Sequence, residues 1–239
     1  FFSKAVLSIL PTIDFCPDII HCNDWQSAPI PVLLDTFRDN PFFKNMKTVI
    51  TIHNLKFQGR WGLPEIRDVM GISDYYYTED KLEFYKDANL LKGGLVYADR
   101  ITTVSDTYSK EITTQEYGEG LNPLLWARRD QLSGIVNGIS YDDWNPNTDS
   151  FIYDTYNKRN VFSKKTLNKT KLQEELGLEV NPDKMLIGLV SRLTDQKGLD
   201  LVAYAMERLC EGGCQLVILG TGDEKYENLF RHYSWKYPD

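Results

Sequence analysis

The stretch Val190-Ser191-Arg192-Leu193-Thr194-Asp195-Gln196-Lys197-Gly198 sets an arginine and a lysine between an apolar run and a helical pattern. A guanidinium can fork onto two phosphate oxygens, an ammonium adds a point charge, and a helix N-terminus favours an anion. Arg192 and Lys197 therefore suit a diphosphate, although two solvated loop cations would look the same in sequence. A second turn, Leu219-Gly220-Thr221-Gly222-Asp223, has the glycine pattern of nucleotide-binding loops. A bare G-x-G is weak evidence for Gly220 and Gly222 as contacts, and Asp223 and Glu224 are equally suited to capping the following helix.

Earlier in the chain, His53 ends the run Val-Ile-Thr-Ile-His and is followed by Asn54, so its ring is expected at a strand end. It reads either as a core histidine bonded to backbone or as a ligand contact. Asp24, before Trp25, reads as a helix N-cap or as a contact. Asn137-Gly138 is either a turn with glycine at positive φ or part of a site. Lys92-Gly93-Gly94 resembles a phosphate loop but lies inside a helical pattern with no strand before it, so its glycines are assigned to close helix packing. Tyr75–Tyr77 and Phe84–Tyr85 could stack on sugars, but aromatic side chains in such a segment more often fold inward.

The elements that must position these groups alternate. Strands are expected at Ile19–Cys22, Thr48–Ile52, Arg100–Val104, Ser133–Val136, Met185–Val190 and Gln215–Leu219. Helices are expected at Trp25–Phe37, Leu90–Ala98, Thr107–Gln115 (with Ser105 as N-cap), Lys164–Leu176, Gly198–Cys210 and from Glu224. Such alternation gives parallel sheets, and in open parallel sheets ligands bind beyond the carboxyl ends of the strands. Polar residues follow every one of these strands, and that agreement outweighs any single turn.

Between 140 and 158 aspartates, asparagines and Pro146 replace the strand pattern, which reads as a linker. The expected organisation is a parallel-sheet domain over 1–139, a linker and helix over 140–180, and the start of a second domain over 181–239. Four strands before the linker and two after it are few for complete doubly wound domains. Phe1 and Asp239 both adjoin helical patterns, so the sequence reads as an interior piece of a longer chain.

Composition excludes several classes. At 239 residues, 42% hydrophobic and 26% charged, the chain is of globular type. With 27 Lys and Arg against 34 Asp and Glu, and no basic run, nonspecific nucleic-acid binding is not expected. No apolar run is long enough to span a membrane, and no signal peptide is visible. Cys16, Cys22, Cys210 and Cys214 suit a reducing compartment. Without an accompanying Cys or His pair they read as buried structural thiols rather than a zinc site.

Together the segments His21–Leu34 (HCNDWQSAPIPVLL), Thr51–Gly59 (TIHNLKFQG), Tyr97–Ile112 (YADRITTVSDTYSKEI), Tyr117–Leu121 (YGEGL), Ala127–Ile139 (ARRDQLSGIVNGI) and Val190–Val202 (VSRLTDQKGLDLV) resemble bacterial glycogen synthases and plant starch synthases. These are retaining glucosyltransferases of the GT-B type. The resemblance implies an α/β fold of two Rossmann-like parallel-sheet domains, both incomplete in this chain. Residues 1–139 would be the later part of the acceptor-side domain, and 181–239 the start of the nucleotide-sugar domain. The family's Lys-x-Gly-Gly loop and paired-glutamate segment are not among these residues, so the piece alone is expected to be inactive.

The resemblance also implies roles. His53 and Asn54 would lie against the donor glucose, Asp24 would face the same pocket, and Asn137 would be near the sugar. Arg192 and Lys197 would neutralise the diphosphate, with Gly220 and Gly222 in the donor-binding turn. Gln26, where many members have histidine, receives no role. The implied reaction transfers glucose from ADP-glucose to the terminal 4-hydroxyl of an α-1,4-glucan, without metal or other cofactor, in the cytoplasm or, for a plant enzyme, the plastid. The residue chemistry alone does not separate ADP from UDP donors. Two alternatives are another GT-B glycosyltransferase and a non-catalytic glucan- or nucleotide-binding module. The oligomeric state is open.

Overall fold

The computed structural model describes residues 1–238, and the chain divides into two compact units, Phe1–Gly138 and Ile139–Asp239. The first unit contains, in order, α1 (Phe2–Thr12), β1 (Ile19–Asn23), α2 (Asp24–Ser27), α3 (Pro29–Thr36), β2 (Lys47–Ile52), β3 (Arg60–Gly62), α4 (Leu63–Met70), β4 (Glu83–Phe84), β5 (Asp87–Asn89), α5 (Leu90–Tyr97), β6 (Arg100–Thr103), α6 (Asp106–Glu111), α7 (Asn122–Ala127) and β7 (Leu132–Gly134). Its main sheet runs β1-β2-β6-β7 and is parallel throughout. The register pairs Cys22 with Ile50 and Ile50 with Ile101, so alternate residues of these strands share one buried face. That face packs with Leu33, Leu34, Leu91 and Leu95 of α3 and α5.

The single helix expected over Trp25–Phe37 is two. Pro29 begins α3, where the missing N–H suits a first helical position but cannot continue the preceding turn. Ser105 caps α6, accepting from the Tyr108 N–H at 3.3 Å. Gly93 and Gly94 lie buried inside α5, and a Cβ on Gly94 would stand 2.7 Å from Ala28 Cβ. These glycines bring α5 against the α2–α3 junction and do not cradle a phosphate. The last strand of the sheet is shifted towards the N-terminus, to Leu132–Gly134.

A small antiparallel sheet, β3-β5-β4, stands apart from the parallel one. No periodicity announced it, because its strands span two or three residues. Of the aromatic segments, Tyr76, Tyr77 and Phe84 are buried while Tyr75 and Tyr85 remain exposed.

The second unit contains α8 (Val161–Glu175), β8 (Leu186–Val190), α9 (Leu199–Glu211), β9 (Gln215–Leu219) and α10 (Glu224–Lys236). Strands β8 and β9 pair in parallel from Leu186↔Gln215 to Val190↔Leu219. Its core gathers Leu193, Leu199, Met206, Tyr226 and Phe230. Helix α8 is tied to this sheet by fully buried amides: Gln173 Nε2 donates to Gln215 Oε1 at 2.6 Å. Gly177, at φ +69°, ends the helical segment as expected.

The thiols differ from expectation. Only Cys22 is buried; Cys210 and Cys214 are partly so, and Cys16 is exposed beside the Phe42 carbonyl. Burial pushes the Cys22 thiol up to about 12, opposed by its contact with Ser27. No helix among the described residues is long and apolar enough to cross a membrane.

Candidate functional site

In the first unit the polar rim forms because parallel strands end together. The register sets Asn23 beside Thr51, and Thr51 beside Thr102, so the residues that follow β1, β2 and β6 emerge along one sheet edge. His53 is exposed there, which overturns the core-histidine reading. Its Nε2 lies 2.9 Å from Asn23 Oδ1, and its backbone N–H donates to Asp24 Oδ1 at 2.8 Å. The Asn54 N–H reaches the same oxygen at 3.4 Å.

Asp24 is therefore not a cap. It is the first residue of α2, at φ +54°, and its carboxylate reaches across to the neighbouring strand end. Ser27 serves its own turn instead, accepting from the Asn23 N–H at 2.6 Å and donating to the Asn23 carbonyl at 2.8 Å. The Asn54 side chain accepts from the Lys56 N–H at 3.1 Å, which shapes the loop after His53. The buried Gln58 anchors that loop, donating to the Leu55 and Glu119 carbonyls and accepting from Asn89 Nδ2 at 2.6 Å.

Asp24, His53 and Asn54 are thus one hydrogen-bonded group. Asn137 follows β7 at the carboxyl end of the sheet and is exposed. Arg192, Lys197, Gly220 and Gly222 belong to the other unit.

In the second unit the loops after β8 and β9 are laced together. Leu193 and Gly222 form a parallel bridge; the Leu193 N–H donates to the Thr221 carbonyl at 2.9 Å, and the Asp223 N–H to the Leu193 carbonyl at 2.7 Å. A Cβ on Gly220 would strike the Ser191 carbonyl, and one on Gly222 would strike Leu193. Both glycines are thus required by the close approach of two backbones. Asp223 precedes α10 but makes no capping bond with its side chain; Glu227 instead accepts from the Gly222 N–H at 3.0 Å.

Arg192 and Lys197 are exposed on this laced frame, and neither side chain forms an ion pair among the described residues. Asp195 lies between them in sequence. It is bound by α10: Tyr226 Oη donates to Asp195 Oδ1 at 2.5 Å, and Lys225 Nζ stands 2.6 Å from the same oxygen. A cleft of about 720 Å³ in this unit borders Gly220 and Thr221 but neither cation. No cluster of His, Cys, Asp and Glu among the described residues is arranged to hold a metal.

Three groups here escaped the sequence reading. Asn23 was only a polar strand end, and nothing local marks it as the partner of His53. Tyr226 and Lys225 sit in an ordinary amphipathic helix, and their bonds to Asp195 span about thirty residues.

Two parallel-sheet units with polar loops at the carboxyl ends of their strands define an α/β protein of the open, Rossmann-like type, in which ligands bind at those strand ends. Residues 1–127 match the family model described as the starch synthase catalytic domain, and the chain belongs to that family. It is 59% identical over its whole length to a glycogen synthase of Lachnospira eligens and 51% identical to one of Thermotoga maritima. It covers 50% and 49% of those proteins, so the chain spans about half the length of the curated relatives it matches. A solved structure, the catalytic domain of starch synthase IV from Arabidopsis thaliana bound to ADP and acarbose, matches all of this chain and 49% of its own. The TM-score is 0.91 at 32% identity. The fold class is that of the GT-B glycogen and starch synthases.

Proposed function

We propose that the protein transfers glucose from ADP-glucose to the 4-hydroxyl at the non-reducing end of an α-1,4-glucan, with retention of configuration. The observation that carries this reading is the pair Arg192 and Lys197, exposed and without ion-pair partners among the described residues, on a loop laced to its neighbour. The glycogen synthase relatives and the ADP in the Arabidopsis structure support it. In this reading 1–139 serves the acceptor side, 140–180 links, and 181–239 begins the nucleotide-sugar side.

The chemistry follows from charge. Breaking the anomeric carbon–oxygen bond builds positive charge on the sugar and negative charge on the leaving diphosphate. Two fixed cations stabilise the second of these as it develops. Asp24 holds the backbone of His53, and Asn23 meets its imidazole, so the ring is fixed at the rim before a sugar arrives. Preorganised groups of this kind orient a neutral sugar hydroxyl at little reorganisation cost. The leaving phosphate would assist deprotonation of the acceptor, so no second carboxylate is needed. We assign no metal or other cofactor to the reaction, and place it in the cytoplasm.

The test is glucosyl transfer by the full-length protein from labelled ADP-glucose or UDP-glucose to glycogen, with digestion of the product by an α-1,4-specific exo-hydrolase. Faster transfer from ADP-glucose into digestible chains is expected. Absence of transfer from both donors overturns the reading.

A further inference from the structure

The loop after β8 carries Arg192, Asp195 and Lys197, so an acid sits among the cations meant for an anion. In a loose loop that carboxylate would pair with its own neighbours and compete with a phosphate. In the fold this carboxylate is met by α10. The Tyr226 ring is anchored in the core, 5% exposed, with its centroid 6.5 Å from the stacked Phe230 ring. Its hydroxyl leaves that core to donate to Asp195 Oδ1 at 2.5 Å, and Lys225 meets the same oxygen at 2.6 Å. The hydrogen bond to Asp195 pushes the phenol above its ordinary range, as expected of a hydroxyl bound to a carboxylate. The Lys225–Asp195 pair is exposed and weak alone, so the core-anchored phenol dominates the restraint.

We propose that Tyr226 is a positioning residue: it holds the Asp195 carboxylate toward α10, so that Arg192 and Lys197 stay unpaired for the diphosphate of the donor. This rests on the donor-site reading above and adds to it a charge-sequestering clamp that the motif residues themselves do not contain.

The test measures ADP affinity by calorimetry in the full-length protein, wild type against Tyr226→Phe, Asp195→Asn and the double variant. Phenylalanine keeps the ring in the core, so the melting temperature should change little. Tyr226→Phe frees a charged competitor and should weaken ADP binding about fivefold, the size of one exposed ion pair. Adding Asp195→Asn removes that competitor and should restore affinity to within about twofold of wild type, a non-additive rescue that loss of packing would not give. Unchanged affinity in Tyr226→Phe, or a double variant no better than the single, overturns the proposal. Glucosyl transfer by the wild type separates the two ideas. The rescue pattern without transfer upholds the clamp and sinks the proposed reaction; transfer with equal affinities sinks the clamp alone. A wild type that binds no ADP overturns both.

Discussion

The His53 backbone N–H donates to Asp24 Oδ1 at 2.8 Å, so a carboxylate after one strand fixes the residue after the next. Asp24 does this from φ +54°, a conformation that asparagine tolerates and alanine does not. Asp24→Ala should cost about 2 kcal/mol, the scale of a hydrogen bond to a charged acceptor. Asp24→Asn should cost clearly less. Chemical denaturation of both variants checks this; a loss near zero in Asp24→Ala would show that the bond across the rim contributes little.

His53→Ala removes an exposed ring and should leave the melting temperature nearly unchanged. If the ring orients a sugar hydroxyl, donor KM rises and the rate falls together, and discrimination against other hexoses relaxes. A lowered melting temperature with normal kinetics would make the residue structural.

Arg192→Ala and Lys197→Ala should each lower kcat by about a hundredfold, equivalent to about 3 kcal/mol of transition-state stabilisation. Glucan affinity should hardly move, because the interaction strengthens only as charge develops on the leaving group. Near-normal kcat in both variants would mean that these cations are only solvated.

Gly94→Ala should destabilise by about 1–3 kcal/mol, since the new methyl meets Ala28 across the α5 contact. Donor affinity per folded molecule should be unaffected. A neutral substitution, read by thermal melting, would show that α5 can shift at no cost.

Asp99 lies at the turn before β6. Burial works to raise its pKa, but the Thr48 N–H at 2.8 Å and Lys47 at 3.0 Å outweigh it and leave the carboxyl below its usual value. A depressed carboxylate stabilises above its unfolded pKa, about 3.9, and that contribution fades as pH falls through the folded value. Asp99→Asn should therefore cost about 1 kcal/mol at pH 7, allowing for partial exposure. The gap between variant and wild type should close below about pH 4. A gap independent of pH would point to lost packing instead.

The parallel strands were legible because their short apolar, β-branched runs are local, and polar residues after every strand marked the rim where His53, Asp24 and Asn137 stand. Ser105 as a cap and Gly177 as a stop were equally local, each set by one residue's own backbone demands. The short strands β3, β4 and β5 left no such trace, since two or three residues carry no period. What the tertiary structure decided is where the polar side chains turn. Asp24 has the chemistry of a cap, but β2, laid beside β1, offers the His53 N–H, and the carboxylate goes there. Gly220 and Gly222 look like a phosphate turn, yet the backbones they admit belong to the loop after β8. Asp195 is an ordinary loop acid until α10 brings Tyr226 within 2.5 Å. A short polar side chain has several partners within reach, and propensity ranks only those on its own segment; parallel pairing supplies the others from tens of residues away.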